Sequence, residues 1–303
     1  MTSDLASTTT SRSNTGAYAG GRSPRPTRID RASAGPDSSA ARHSPQPSPM
    51  PSPTFRAYFA LVGLFALWVG AWGYFVPAEV VRALPWTVPP LHARFIAAIY
   101  LAGLLAMILA LTARTLAEVR IPIALAATWT GMLFLVSMLH LEAFDFAKPQ
   151  VWFWMGAYAV FPLWGAWLYF GRGAGATATR RPADPVLLAI GAVCLLLAAG
   201  LLALPAQMIA AWPWKLPPLL ASIYAGPFLA YGVSALLLAR EGRPEARRIV
   251  LVSMLAFTVL VVVASLLHLA LFSFATPSAW VWFGLLVASG AVMTWRLMQA
   301  RRS

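Results

Sequence analysis

The chain has 303 residues, 59% of them hydrophobic and only 11% charged, where a soluble domain carries about 25% charged residues. Its formal net charge of +13 does not mark a nucleic-acid binder, because the basic residues are scattered over the N-terminal tail and the ends of apolar runs, as topology determinants are. A single cysteine, Cys194, excludes an intramolecular disulfide and a cysteine-based metal cluster. Lying among Val193, Leu195 and Leu196, it reads as an inert buried thiol.

Residues 1–54 are rich in Ser, Thr, Pro, Ala and Arg and have no apolar periodicity. They cannot bury enough surface to order themselves, so a disordered tail is expected. The steps Ser44-Pro45, Ser48-Pro49 and Ser52-Pro53 form a low-complexity stretch, and no apolar run precedes Phe59, which argues against a secretory signal.

Eight apolar runs follow, over about residues 57–75, 93–112, 120–141, 151–170, 185–204, 219–239, 248–270 and 279–298. A bilayer core offers no water to backbone groups, so such runs are helices or closed barrel strands. Their length near 20 residues and their lack of alternation select helices. The expected fold is therefore an all-α integral membrane protein of eight transmembrane helices. Pro162 and Pro227 fall inside runs and predict kinks. Residues 77–84 and 205–211, each starting with Pro, predict short helices lying in the membrane interface.

The basic residues orient the chain. Arg114, Arg120, Arg172, Arg180, Arg181, Arg240, Arg243, Arg247 and Arg248 fall in one set of connections, with Arg296, Arg301 and Arg302 at the C-terminus; the alternate set has only Arg82, Arg94, Lys148 and Lys215. The positive-inside rule then predicts both termini in the cytoplasm. Abundant Ala, and Arg in excess of Lys, point to a GC-rich bacterial genome and hence a bacterial plasma membrane.

A gapless repeat runs at an offset of 128 residues: Pro77 matches Pro205, Pro85-Trp86 matches Pro213-Trp214, and Leu139-His140-Leu141 matches Leu267-His268-Leu269. Phe144, Pro149, Trp152, Trp154 and Trp167 match Phe272, Pro277, Trp280, Trp282 and Trp295. Leu-rich helices resemble each other by chance, whereas Pro, Trp and His at one fixed offset do not. The expected organisation is a tail (1–54), a first four-helix repeat (55–170), a cytoplasmic linker (171–184) and a second four-helix repeat (185–303). An even helix count per unit makes the repeats parallel, with a pseudo-two-fold axis along the membrane normal.

Chemistry is sparse. Thr130, Ser137 and His140 share one face of the third helix, and Thr258, Ser265 and His268 repeat them on the seventh. Such a stripe is expected to face protein rather than lipid. His140 lies 20 residues beyond Arg120, about 30 Å of helix, which places it at the outer boundary. Glu142 and Asp145 follow it and are candidates to orient His140 or accept its proton, although the second unit replaces them with Ala270 and Ser273.

Two imidazoles at equal depth suggest an outward-facing site near the axis, with His140 and His268 as candidate ligands of a metal or haem, or as partners of a quinone or lipid headgroup. The competing view is structural: serine and threonine in membrane helices bond their own backbone, and tryptophans line membrane interfaces whatever the function.

No acidic or basic residue lies in the middle of a run, as ion-coupled carriers usually require. No phosphate-binding glycine loop, zinc-protease motif or nucleophile elbow is present. The sequence carries no motif of a characterised family. The function expected is non-enzymatic: binding or passing a small apolar or amphipathic molecule near the outer face, with lipid as the surrounding partner and no nucleic acid. The alternatives are a haem or quinone redox protein and a structural subunit of a membrane complex.

Overall fold

The computed structural model describes residues 52–82, 84–86, 88–172 and 181–302, all within one compact unit, Pro47–Ser303. The tail expected over residues 1–54 lies almost wholly outside the described residues, as does most of the linker expected over 171–184.

The described residues contain helices and no strand. These are α1 (Pro53–Phe75), α2 (Pro90–Leu111), α3 (Leu116–Leu139), α4 (Pro149–Trp167), α5 (Pro185–Ala203), α6 (Pro205–Ala211), α7 (Pro218–Leu238), α8 (Pro244–Leu267) and α9 (Pro277–Arg302). Short 3₁₀ turns cover Pro77–Arg82, Leu141–Ala143 and Leu269–Leu271, and a π turn, Leu168–Arg172, extends α4. All nine helices but α6 are long and apolar enough to cross a membrane, and the chain is a multi-pass membrane protein.

Most of these helices begin two to four residues before their apolar runs, at a proline. Its fixed φ suits the first helical position, where the missing N–H would have had no partner. At the other end α3 and α8 stop at His140 and His268, short of the expected residues 141 and 270, because a 3₁₀ turn follows each histidine. The 128-residue offset extends to the elements: α3 and α8 start at 116 and 244 and end at 139 and 267, and the turns 141–143 and 269–271 correspond likewise.

Within each half, α1 packs on α2 and α3 on α4, as α5 packs on α7 and α8 on α9. Between halves, α3 packs on α7 and α2 on α8. These two contacts exchange when each helix is replaced by its counterpart. The centre is thus α2, α3, α7 and α8, with α4 and α9 outside; 67% of the α7 span is buried but only 6% of α9.

Helices in lipid associate through close packing and hydrogen bonds rather than through a hydrophobic drive, and both devices appear. A Cβ on Gly226 would stand 2.5 Å from the Trp129 ring, so glycine there lets α7 seat on α3. Ser253 donates its hydroxyl to the Ala102 carbonyl at 2.9 Å and meets the Tyr231 hydroxyl at 3.0 Å, tying α8 to α2 and α7.

Buried His92, in the first turn of α2, fixes the direction of the halves. Its Nε2 donates to the Lys215 carbonyl at 3.1 Å, which can only accept, so its Nδ1 accepts from the Tyr224 hydroxyl at 2.7 Å. Helices α2 and α7 therefore begin at the same end of the bundle. That end also carries His140 and His268 and is called the histidine end below. The opposite end carries Arg240, Arg243 and Arg247 and is called the arginine end.

Candidate functional site

The polar stripe is spent on its own scaffold. Thr130, Ser137, Thr258 and Ser265 each donate to the carbonyl four residues back, at 2.7, 2.8, 3.0 and 2.8 Å. Ser137 accepts the indole N–H of Trp154, and Ser265 that of Trp282, both at 3.1 Å. A buried indole N–H requires an acceptor, and the serine relays it to a carbonyl. Both serines thus face the outer helix of their own half, and not a site shared between halves.

The histidines find different partners. His140 caps α3, half-buried, with Nδ1 3.4 Å from Glu142, a carboxylate that is 76% exposed. His268 caps α8, and its Nε2 accepts from Arg94 Nη1 at 2.6 Å, while Arg94 Nε donates to the Tyr74 carbonyl at 3.1 Å. Burial, and then the Arg94 cation, hold the His268 pKa below the usual imidazole value. Asp145 does not orient His140: it bonds the Ala147 N–H at 3.2 Å and pairs with Lys148 at 3.3 Å.

This donor set does not fit a haem. The Nε2 lone pair of His268 is committed to Arg94, and neither histidine lines the cavities described below. Among the described residues no group of three His, Cys, Asp or Glu side chains is placed to hold a metal ion.

The feature that stands out is a cavity of about 550 Å³ in the second half, walled by α5, α7, α8 and α9 and by the turn Trp212-Pro213. Cys194, Trp212, Tyr231, Thr258, Ser278, Trp282 and Ser289 are the residues with polar side-chain atoms in a lining otherwise made of aliphatic, methionine and phenylalanine side chains. Thr258 alone of the expected site residues belongs to it. The corresponding space in the first half is a void of about 30 Å³ lined by Val62, Phe65, Ala66, Ile99, Tyr100 and Thr130, among others. These match Ile190, Val193, Cys194, Pro227, Phe228 and Thr258 of the large cavity.

Side-chain size explains the difference. In the first half Phe65 of α1 meets Phe153, Tyr158 and Phe161 of α4 with ring centroids 5.8, 5.6 and 5.8 Å apart, and Tyr58 meets Trp164 at 5.4 Å. The second half has Val193, Val281, Leu286 and Ser289 in place of the first four, and Val186 and Val292 in place of the last two. An aromatic zipper joins α1 to α4, whereas α5 and α9 face each other across open space.

Sequence reasoning missed this site because it followed what the halves share. The signal lay in where they differ: aromatic residues in one half, small ones in the other, at positions related by the same offset.

No family model, curated protein or solved structure matches this chain.

Proposed function

We propose that this multi-pass membrane protein binds a small apolar or amphipathic molecule in the cavity of its second half. The observation that carries the proposal is the contrast of about 550 Å³ with about 30 Å³ at equivalent places. Ligand pockets commonly measure about 300–1,000 Å³ and are mostly apolar with a few polar groups. In this reading the first half is the closed, load-carrying copy and the second is opened for a ligand.

The architecture proposed is two tandem parallel four-helix units, 55–170 and 185–303, related by a pseudo-two-fold axis along the membrane normal. The exchange of α3–α7 with α2–α8 contacts and the common end of α2 and α7 support it. The arginine end is proposed to face the cytoplasm of a bacterial cell and the histidine end the outside. The cavity, lined by Trp212 and Ser278 at the histidine end, then extends to the outer side. His140, His268, Glu142 and Asp145 organise the surface at the histidine end, and Ser137, Ser265 and Thr130 serve packing.

Binding of the neutral fluorophore 1-aminoanthracene to the full chain in nanodiscs tests the reading. Saturable binding is expected in the wild type. It is expected to be lost in V193F/S289F, which carries the side chains of the first half. Absence of saturable binding, or its persistence in that variant, would overturn the proposal. For the orientation, reporter fusions after residues 176 and 243 should read cytoplasmic and those after 148 and 276 external.

A further inference from the structure

Resting on the reading above, we propose that the cavity fills from the bilayer: the gap between α5 and α9 is a lateral portal at mid-depth, and the part of the ligand that passes it is uncharged.

The gap is closed off at its two ends. At the arginine end Arg296 of α9 donates to Asp184, the N-cap of α5, at 2.7 Å. Val186 and Met293, the last lining residues of α5 and α9 at that end, lie within one turn of this pair. At the histidine end the Trp212 ring packs on Trp214 and Trp282 with centroids 5.5 and 5.8 Å apart, and its Nε1 is buried. An ion pair thus ties the two helices at one end, and three indole rings pack together at the other.

The middle is open. There α5 packs on α7, and α9 on α8. Val193 of α5 and Val281 and Leu285 of α9 line the cavity yet are 46%, 57% and 46% exposed, so the cavity reaches the surface between them. Val193 is eight residues from the first residue of α5 and ten from the last, about 12 and 15 Å. Leu285 is likewise eight residues inside the start of α9, about 12 Å. No charged residue occurs in Pro185–Ala203 or between Pro277 and Trp295. In a hydrocarbon core about 30 Å thick, an opening at this depth meets acyl chains and not water.

The first half shows the portal shut. Phe65 and Phe153 hold the places of Val193 and Val281, and their rings meet at 5.8 Å, joining α1 to α4. Two rings seal in one half the gap that two valines frame in the other.

The lining sets the class of what enters. It includes no charged side chain. Its hydroxyls and indole are engaged within the wall: Thr258 with Met254, Tyr231 with Ser253 and Trp282 with Ser265. A charge carried into such a space finds no partner, and its desolvation exceeds what the burial of its carbon returns.

The test follows 1-aminoanthracene bound to the full chain in nanodiscs. Its saturable component should be quenched most by a phosphatidylcholine with a nitroxide at mid-chain, less by one with the nitroxide on the headgroup, and not by iodide in water. Quenching led by the headgroup nitroxide or by iodide, or quenching by none of the three, overturns the portal and leaves the binding reading intact; a wild type with no saturable component overturns both. In V193F/V281F, which carries the ring pair of the first half and is checked by elution as a single species, the saturable component should be lost or no longer be quenched from mid-chain. A component that stays and is quenched as before overturns the portal at these residues. The neutral tert-butylbenzene should displace the probe, and its cationic isostere trimethylanilinium should not. Equal displacement by the two, or displacement by neither, overturns the uncharged class.

Discussion

Phe65 and Val193 hold the same position in the two halves, 128 residues apart, and the first closes the space that the second leaves open. Phe65 packs its ring within 5.6 Å of Tyr158 and 5.8 Å of Phe161, whereas Val193 is 46% exposed at the cavity rim. Truncation should therefore be unequal. Phe65→Ala removes packing from a partly buried cluster and should cost at the lower end of the usual 3–5 kcal/mol for such a change. Val193→Ala should cost less than about 0.5 kcal/mol, as exposed substitutions do. Thermal unfolding in one detergent, followed by tryptophan fluorescence, compares them. Equal losses would mean that the first half is not the better-packed copy.

Ser137 and Trp154 form a second unequal pair with Ser265 and Trp282. Trp154 is fully buried and Trp282 only partly so. Ser137→Ala should strand a buried indole N–H at a cost of about 1–3 kcal/mol, and Ser265→Ala should cost less. The double variant S137A/W154F removes donor and acceptor together, and its loss should fall below the sum of the single losses. An additive double-mutant cycle would remove the hydrogen bond from the account.

The Arg94–His268 contact makes a pH prediction. The folded-state pKa of His268 lies below the ordinary 6.5, so between those two values the unfolded chain binds more protons than the folded one. Stability is then full above about pH 6.5 and falls as the pH drops through the folded-state value. Melting curves from pH 7.5 to 4.5 should show a loss that is smaller in His268→Gln than in the wild type. Arg94→Met, which removes the neighbouring cation, should move the loss to lower stability cost as well. Identical curves for wild type and His268→Gln would dismiss the contact as a source of acid sensitivity.

The positions of the helices were legible because lipid imposes them: a run of about 20 apolar residues has one backbone solution in a bilayer. Shared Pro, Trp and His exposed the repeat for a similar reason, since each marks a helix start, an interface or a cap that both halves need. The site was harder to read. Thr130, Ser137, Thr258 and Ser265 are polar in an apolar context, which draws the eye, yet a hydroxyl bonded to its own helix is the cheapest way to keep a polar atom in lipid. Val193 and Ser289 draw no attention by themselves. Their meaning comes from Phe65 and Phe161 in the other half and from the three-dimensional fact that all four flank equivalent clefts. Arg94 and His268, 174 residues apart, meet only because α2 packs on α8.

Asp184 gives the last prediction. Its side chain caps α5, accepting from the Val186 and Leu187 N–H groups at 3.1 and 3.4 Å. It also accepts from Arg296 at 2.7 Å and stands 3.8 Å from Arg247, and all three side chains are at most 10% exposed. The first half has Arg56, Val119 and Leu168 at the corresponding places, so this buried ionic cluster at the arginine end belongs to the second half alone. Removing one member of a buried pair is far more costly than replacing the whole set with apolar groups, because the remaining charge is left without compensation. Asp184→Ser keeps an N-cap hydroxyl but leaves Arg247 and Arg296 unneutralised, and should cost about 3–5 kcal/mol. Arg247 retains its bonds to the Leu238 and Glu241 carbonyls at 3.3 and 3.2 Å, which places the loss toward the lower figure. The triple variant D184S/R247V/R296L restores the apolar character that Val119 and Leu168 give the first half, and should recover most of that loss. Melting temperatures of the single and triple variants in detergent decide it. A neutral Asp184→Ser would show that the cluster is solvated, and a triple variant no more stable than the single one would show that the arginines hold α8 and α9 by contacts other than their charge.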